Sequence, residues 1–307
     1  ELEFKPNGEE KLKKYVQGYV SFFRGMMPYT FAKRKDKGVI PKGLLFTPVV
    51  KCDMEKFQLN SYEIAEKDFD DTLDRKSSAA SNFIFPGLDK NDNKKIVGYS
   101  SNDGINTVLG QLNVNGNLLK KTINKVLFKG KLSKLEEENF IRETETKNIS
   151  GTILNLKYIR IFSIKFYKAL KRLAKLVEGN KEPGTAFIYS NLVRAGGMEV
   201  FAEALKENGY LEYKENYKEY NILDNTLDYK TGKTYLQFKK EKKDMSKFKP
   251  AAYILVTGSI DDSGEDIPEV KQKIIREVFN SSDNIDGKHI KFILGSQVMN
   301  EGITLEN

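Results

Sequence analysis

The chain has 307 residues, of which 39% are hydrophobic and 31% charged, and its 51 Lys and Arg residues exceed its 43 Asp and Glu residues. This length predicts about two domains with a sizeable core, and we expect a soluble globular protein because no apolar run approaches the roughly 20 residues of a transmembrane helix. The single cysteine, Cys52, excludes an intrachain disulfide and a multi-cysteine zinc site, and the single histidine, His289, gives Ser-His-Asp hydrolysis and histidine-rich metal chemistry little basis, so we assign no metal site.

The net charge of +8 makes nucleic acid the first partner to consider. A surface that merely reflects a lysine- and asparagine-rich genome explains the same composition, and composition does not choose between the two. The chain begins at Glu1 with neither an initiator methionine nor a signal-like apolar segment, from which we expect a piece excised from a longer protein.

The first half of the chain carries scattered, weakly periodic segments. A helix is predicted near Lys11 to Phe23, followed by a turn from Gly38 to Gly43 and an apolar strand from Leu44 to Val50. A second helix is predicted from Met54 to Ala65.

Beyond this helix the sequence becomes polar. Acidic clusters, serine runs and Asn- and Gly-rich stretches continue through Gly116, and they predict loops or short elements. The charged segment from Lys131 to Arg142 is a helix candidate.

From residue 158 onward, predicted helices and strands alternate. Three strands, at Thr185 to Tyr189, Ala252 to Val256 and Ile290 to Leu294, are short, apolar and expected to be buried. Strands that are apolar at nearly every position, and that lie between amphipathic helices, predict an α/β fold with a parallel sheet that helices cover on both faces. The three helical stripes comprise Phe166, Leu170, Leu173 and Val177, then Met198, Phe201, Ala202 and Leu205, then Val270, Ile274, Ile275, Val278 and Phe279.

A segment from residue 214 to residue 249 interrupts the alternation with many lysines. Its clusters at 239 to 243 and 247 to 249 could contact phosphates, and nearby tyrosines could stack on bases. A solvated insertion hairpin explains the same composition. The tyrosines in question are Tyr213, Tyr217, Tyr220 and Tyr229.

The sequence Thr231-Gly232-Lys233-Thr234 has the letters of a phosphate-binding loop without its setting. Such a loop needs a further glycine five residues before the glycine of GKT, between a buried strand and a helix. Leu227 occupies that position, so we predict a hairpin turn and no triphosphate cradle in this chain.

Polar and glycine residues follow each of the three predicted strands. Ligands of an open parallel sheet bind outside the carboxyl ends of its strands, so these residues are expected at one edge. Hydroxyl and glycine N–H groups suit a phosphodiester backbone, whereas simple capping of the following helices is the alternative. The residues are Ser190, Asn191, Thr257, Gly258, Ser259, Ser296, Glu301 and Gly302.

Five segments of the second half occur in a known order: Ser163 to Phe166, Ala186 to Asn191, Thr257 to Ser259, Arg276 to Asn280 and Ile293 to Leu305. They resemble, in turn, the S-x-K opening, motif IV, the T-G turn, the helix ending in F-N and motif V of one domain. That domain is the second RecA-like domain of Snf2-like superfamily II helicases.

In the first half, Tyr19 to Gly25, Pro28 to Phe31, Met54-x-x-x-Gln58-x-x-x-Tyr62 and Ser81 to Pro86 resemble the linker region of one helicase subgroup. This subgroup comprises the helicases of nucleocytoplasmic large DNA viruses, related to the helicase subunit of the poxvirus early transcription factor and to the poxvirus nucleoside triphosphate phosphohydrolase.

The resemblance implies two parts. Residues 1–157 are a mixed, largely helical and irregular linker region that follows a first RecA-like lobe outside this chain. Residues 158–307 are the second RecA-like domain, truncated after motif V, with a Lys- and Tyr-rich insertion at about 213–250. Thr304 departs from the family pattern, because many relatives have Asn or Asp at that position.

The resemblance also implies a motor that hydrolyses ATP with Mg²⁺ between two lobes while it moves along DNA or RNA. The phosphate loop, the metal-holding acids and the arginines of motif VI would lie outside this chain, so no catalytic residue is assigned and the isolated chain is expected to be inactive. Glu301 is placed near the ATP cleft. The nucleic-acid track comprises Ser190, Asn191, Thr257, Gly258, Ser259, Gly302 and Thr304.

Viral RNA polymerase or transcription factors are further partners that the resemblance implies, with no membrane and with a location in the virion and the host cytoplasm. The alternative function is a noncatalytic basic module that binds nucleic acid or docks a polymerase.

Overall fold

A computed structural model describes residues 7–16, 37–43, 48–67, 75–178, 184–242, 244–258, 267–299 and 303–305. By its internal contacts the chain divides into two units, Glu1–Lys51 and Cys52–Asn307. Within the described ranges, every helix is too short or too polar to cross a membrane.

The first unit contains helix α1, Gly8–Val16, and an antiparallel bridge between Val39 and Val49. Gly38 precedes the bridge with φ +128°, and a Cβ there would stand 2.7 Å from the Val49 carbonyl oxygen, so only glycine fits this approach. The predicted continuation of the first helix beyond residue 16 lies outside the described residues, as do residues 44–47 of the predicted strand.

The second unit begins with three short helices, one helix of 27 residues and two antiparallel hairpins. The helix predicted from Met54 to Ala65 is confirmed as α2. The elements are α2 Lys56–Glu66, α3 Arg75–Asn82, β1 Phe85–Leu88, β2 Ile96–Tyr99, α4 Ser101–Leu127, α5 Lys134–Glu138, β3 Arg142–Glu143 and β4 Ile149–Ser150. Strand β1 pairs with β2, and β3 pairs with β4.

Helix α4 contradicts the loop predicted through Gly116. Asn102, Asn106, Asn113, Asn115, Asn117 and Gly110 are exposed, while apolar residues three or four positions apart are buried, together with Asn124. Burial of this stripe outweighs the weak helix propensity of Asn and Gly, and a single non-helical residue, Asn115 with φ −133°, kinks the helix. The buried stripe comprises Ile105, Val108, Leu109, Leu119 and Ile123.

The charged helix predicted from Lys131 to Arg142 is much shorter in the structure, at five residues. Ser133 caps α5 by accepting a hydrogen bond from the Glu136 N–H at 3.2 Å, and the Glu136 carboxylate accepts from the Ser133 N–H at 2.9 Å. The chain beyond α5 enters the β3–β4 hairpin instead of continuing the helix.

The remainder alternates helices and strands, as predicted. Its elements are α6 Ile164–Val177, β5 Ala186–Tyr189, α7 Met198–Glu207, β6 Leu211–Glu212, α8 Tyr235–Lys240, β7 Ala252–Val256, α9 Glu269–Ile274, a π-helix Ile275–Phe279 and β8 Phe292–Gly295. Strand β6 and helix α8 have no counterpart in the prediction. The apolar stripe predicted for the third helix begins at Val270, but the Val270 side chain is 67% exposed and does not belong to the buried face.

The four strands β5, β8, β7 and β6 form one parallel sheet in that order. This confirms the α/β class and the parallel sheet expected of a RecA-like domain. The predicted burial of β5 is wrong, because β5 is an edge strand and its Phe187 and Tyr189 side chains are 45% and 41% exposed.

Helices cover both faces of the sheet. Tyr253, Phe292 and Leu294 face the larger hydrophobic core with α6 and α7, whereas Ile254 and Ile293 face a smaller core. The larger core also contains residues of α4 and of the segment before α6. A boundary between residues 157 and 158 stays a prediction.

Candidate nucleic-acid interface

The carboxyl ends of three neighbouring strands lie side by side. In the sheet register Tyr189 of β5 and Val256 of β7 both align with Gly295 of β8. The next residues along the chain, Ser190, Thr257 and Ser296, therefore stand at the same edge. The three strand ends converge as the sequence analysis expected.

The junction after β5 is held by hydrogen bonds that leave donors available. The Ser190 N–H donates to the Gly295 carbonyl at 3.1 Å, and the Ser190 hydroxyl oxygen accepts from the Leu192 N–H at 3.0 Å. The Asn191 side-chain oxygen accepts from the Tyr189 hydroxyl at 2.5 Å. The Asn191 amide NH₂ is thereby oriented away from that contact, on an exposed residue.

A tight loop follows this junction and returns to α7. The Met198 N–H donates to the Leu192 carbonyl at 2.9 Å, and a Cβ at Gly197 would stand 2.1 Å from that carbonyl oxygen. Gly197 is therefore required by a close backbone approach. The tight turn fixes the direction in which Asn191 leaves the sheet.

Arg194 is a cation of this loop that the sequence analysis did not select. Its side chain is 58% exposed and lies 3.9 Å from Glu199, whose pKa is raised by burial and only partly lowered again by Arg194. A guanidinium beside a row of hydrogen-bond donors suits a phosphate ligand. The sequence signal was an arginine between a strand end and a glycine pair.

The junctions after β7 and β8 differ in accessibility. Thr257 and Gly258 are half-buried, and Ser259 lies outside the described residues. Ser296 is only 2% exposed, because a 3₁₀ turn, Gln297–Met299, folds back with the Met299 N–H donating to the Ser296 carbonyl at 2.9 Å. Ser296 is therefore at the edge without facing outward.

The last predicted site residues fall on a sparsely described segment. Glu301 and Gly302 lie outside the described residues, so their roles stay predictions. Thr304 is exposed, and its carbonyl oxygen accepts a hydrogen bond from the Asn280 side-chain NH₂ at 2.8 Å. Asn280, part of the motif noted at the end of the third helix, thus fixes the backbone beside Thr304.

The β5 loop is also anchored from the first part of the unit. The Asn82 amide donates to the Gly196 carbonyl, and the Ser163 hydroxyl donates to the Asn82 carbonyl at 2.5 Å. Gln58, fully buried in α2, accepts from the Ile164 N–H at 3.1 Å and donates to the Ala80 carbonyl at 3.3 Å. Two of the linker-region motifs, those that contain Gln58 and Asn82, therefore position the start of α6 and the candidate edge. The other two, Tyr19 to Gly25 and Pro28 to Phe31, lie outside the described residues.

The segment Thr231-Gly232-Lys233-Thr234 does not fit a triphosphate. It forms the predicted hairpin turn, in which the Gly232 N–H donates to the Asp228 carbonyl at 3.0 Å. The Lys233 ammonium is bound to Glu241 at 2.5 Å, and the Thr234 hydroxyl caps the short helix α8. Its donors are occupied, so we derive no nucleotide chemistry from this turn.

Two of the four tyrosines predicted to stack on bases are partly buried in cores. Tyr213 packs against the smaller core and Tyr229 against the larger one. Tyr217 is 46% exposed, and its ring centroid lies 5.9 Å from that of Tyr220. Within the described ranges, no group of three His, Cys, Asp or Glu side chains is arranged to hold a metal ion.

Comparison with known proteins places the chain among viral proteins. It is 45% identical over 314 aligned residues to "Putative ATP-dependent RNA helicase L377" of Acanthamoeba polyphaga mimivirus, an alignment that covers 100% of this chain and 27% of the relative. It is 24% identical to "Putative ATP-dependent RNA helicase R563" of the same virus, over 95% of this chain and 35% of that relative.

A third similarity covers about half of the chain. The "Early transcription factor large subunit homolog" of African swine fever virus (strain Badajoz 1971 Vero-adapted) is 25% identical over 165 residues, which are 52% of this chain and 13% of that protein. The chain thus spans about a third or less of these curated relatives. No protein-family model matches it.

Proposed function

This chain is a relative of the helicases of nucleocytoplasmic large DNA viruses, and we propose that it is the part of an ATP-dependent helicase or translocase that carries the nucleic-acid track. The observation that carries the proposal is the 45% identity along the whole chain to a protein named as an RNA helicase. The parallel sheet and its shared carboxyl edge support it and indicate which residues would touch the strand.

In this proposal the phosphodiester backbone crosses the carboxyl edge of the sheet. The Ser190 hydroxyl, the Asn191 NH₂, the Thr257 hydroxyl and the Gly258 N–H donate to phosphate oxygens, and Arg194 adds charge. Contacts of this kind position a strand without reading its sequence, which suits a protein that moves along nucleic acid. Ser259, Gly302 and Thr304 extend the track.

We propose that ATP and Mg²⁺ bind the whole protein, mainly through residues outside these 307, with Glu301 near that cleft. Hydrolysis of the bound ATP by water, to ADP and phosphate, would supply the energy of movement. The residues of this chain hold the strand. The track is kept aligned by the hydrogen bond that Gln58 accepts from the Ile164 N–H and by the one that Asn82 donates to the Gly196 carbonyl.

A role in viral transcription is the finer part of the proposal. The similarity to an early transcription factor large subunit homolog supports it. A viral RNA polymerase or transcription factor would then be a further partner, and the site of action would be the viral factory in the host cytoplasm, with carriage in the virion.

The track is tested by strand binding to the purified 307-residue chain. Replacing Asn191 and Thr257 together by Ala removes two donors, each worth about 1 kcal/mol, so we expect affinity for a labelled single strand to fall about thirtyfold. The matched control replaces Asn106 and Thr107 on the distant helix α4 by Ala and should bind as the wild type does. If the folded Asn191 and Thr257 variant binds the strand as tightly as the wild type does, the carboxyl edge of the sheet is not the track.

The basic composition of residues 213–250 favours the second candidate, a noncatalytic tether. The two functions differ in the whole viral protein, where a motor hydrolyses ATP faster when a strand is bound. Loss of that stimulation in the Asn191 and Thr257 variant supports the motor. Absence of any strand-stimulated hydrolysis in the unaltered whole protein supports the tether.

A further inference from the structure

Positive charge concentrates beside β6, the edge strand opposite β5. Residues 213–250 contain ten lysines and six acidic residues, a net charge of +4 out of +8 for the whole chain. This segment forms two cavities that share one lysine, Lys249. Neither cavity belongs to the edge proposed above.

The larger cavity has a volume of about 690 Å³, a size typical of ligand pockets. Three lysines, Lys230, Lys247 and Lys249, line it together with Tyr229 and Phe238. The ion pairs formed in this segment, as far as the structure describes it, involve other lysines. The cavity therefore presents three ammonium groups to a ligand.

Two acidic residues also line this cavity, and both accept hydrogen bonds from neighbouring backbone N–H and hydroxyl groups. Asp228 is 2% exposed and accepts from the Thr231 N–H at 2.9 Å, the Thr231 hydroxyl at 2.7 Å and the Lys249 N–H at 3.2 Å. Asp244 accepts from the Ser246 hydroxyl at 2.7 Å and its N–H at 3.0 Å, which lowers the Asp244 pKa. Both carboxylates shape the loops and keep their charge, and Lys247 also acts on Asp244. Three lysines against two aspartates still leave the lining of the cavity positive for an anion.

The smaller cavity has a volume of about 210 Å³ and an aromatic wall. Tyr217 and Tyr220 meet edge to face, at an interplanar angle of 66°, and the Tyr217 hydroxyl donates to the Phe248 carbonyl at 3.1 Å. The Tyr220 hydroxyl accepts from the Lys214 N–H at 3.1 Å. Both rings are therefore held in place before any ligand arrives.

The remaining charges of the smaller cavity are largely balanced. Lys288 and His289 both contact Asp283, at 2.6 Å and 2.8 Å, and the hydrogen bond from Lys288 is the main reason that the Asp283 pKa falls to about 2. Glu215 faces the same cavity as Lys214. The smaller cavity therefore contributes aromatic contact to binding, and Lys249 links it to the larger, basic cavity.

We propose that these two cavities form a second binding site for single-stranded nucleic acid, with phosphates in the larger cavity and one base against Tyr217 in the smaller. This inference rests on the proposed function, because it adds a second contact to the same strand. Ammonium groups beside aromatic rings are the combination that single strands require, since their bases are free to stack. A duplex hides its bases and would use the lysines alone.

The lysines are tested by the salt dependence of strand binding to the 307-residue chain. The variant Lys230→Gln, Lys247→Gln, Lys249→Gln is compared with Lys121→Gln, Lys125→Gln, Lys131→Gln, which removes the same charge from the exposed side of α4 and the turn after it. Anisotropy of labelled oligothymidylate and oligouridylate is followed from about 50 to 200 mM salt. Each phosphate contact with a single strand contributes about 0.7 to the slope, so the pocket variant should lose about 2 from it. Its affinity should therefore lie below that of the wild type by a factor that shrinks about 16-fold between about 50 and 200 mM salt.

The ring is tested separately. Tyr217→Leu should weaken binding of the single strand about tenfold and leave duplex binding unchanged. Tyr217→Phe keeps the ring and should bind within about twofold of the wild type. Circular dichroism and the urea midpoint verify that each variant is folded.

The outcomes separate this site from the track. If the variant with Lys230, Lys247 and Lys249 replaced has the same salt slope and affinity as the α4 variant, the second site is wrong. This holds even when the Asn191 and Thr257 variant loses binding. Loss in the pocket variant alone supports the second site and contradicts the track. A Tyr217→Leu variant that binds single strands as the wild type does removes the base from the proposal.

Discussion

Lys291 is a buried cation whose ionisation is coupled to folding. Its side chain is 2% exposed, and its ammonium donates to the Asp286 carbonyl at 2.7 Å. Burial lowers its pKa to about 8, against the smaller opposing effect of Asp286. The folded chain therefore holds this proton less tightly than the unfolded chain, in which a lysine titrates near 10.4.

This difference predicts how stability changes with pH. Above pH 8 the unfolded chain binds more protons at this position than the folded chain, so the free energy of unfolding should rise by about 2 kcal/mol between pH 7 and 9.5. Tyrosines of the unfolded chain begin to ionise near pH 10 and end this window. Lys291→Met should flatten the rise in urea unfolding, whereas Lys90→Met, in an exposed turn, should keep it. A Lys291→Met profile as steep as that of the wild type would contradict the assignment.

Individual contacts were harder to predict from the sequence than the residues that make them. The resemblance selected Gln58, Asn82 and Ser163 as motif positions, and all three make buried or partly buried hydrogen bonds between distant segments. Their partners are backbone groups up to 114 positions away, such as the Gly196 carbonyl. Almost every residue has a backbone N–H and a carbonyl group, so the sequence does not indicate which of them forms the hydrogen bond. Only the structure identifies these partners.

At the scale of elements, the parallel arrangement of β5, β7 and β8 was predictable, whereas β6 and α4 were not. Short apolar runs between amphipathic helices follow the parallel-sheet pattern closely, and the rule that parallel strands share a carboxyl edge placed Ser190 and Thr257 together. Most asparagines of helix α4, and its Gly110, are exposed, where they are tolerated, but in the sequence these residue types indicate a loop. The burial of Ser296 depends on the turn after β8, which no periodicity reveals.

Helix α4 offers a test of this explanation. Gly110 lies in the helix with open space where a Cβ would be, so Gly110→Ala should raise the free energy of unfolding by about 0.5–1 kcal/mol. Gly104→Ala is the contrasting variant, because its Cβ would stand 2.9 Å from the Tyr99 backbone, and it should lower the same quantity. Urea denaturation at fixed pH measures both. Equal effects in the two variants would show that packing against β2 does not control this helix.

At the scale of the whole second unit, one core joins the linker-like region to the sheet. Phe83, Phe162 and Phe166 pack on one another, and Phe166 packs on Phe201 of α7 at 4.9 Å between ring centroids. A contiguous core resists independent movement of its parts, because its packed side chains have few alternative arrangements. The β5 loop and the region before α6 are therefore expected to move together when a partner binds.

The same scale determines what this chain can do by itself. Phosphoryl transfer needs a phosphate-binding lysine, a metal site and a charge-stabilising arginine in one place. Among the 307 residues the sole GKT sequence is a hairpin turn whose lysine is bound to Glu241. We therefore expect the purified chain to show no Mg²⁺-dependent ATP hydrolysis above buffer, with or without a single strand, in a phosphate-release assay. The same preparation should bind single strands with an affinity that falls steeply as salt rises, because several phosphates are neutralised together. Mg²⁺-dependent turnover that persists after Lys233→Ala would reveal a catalytic site elsewhere in the chain, and turnover that this substitution abolishes would return that role to the hairpin turn.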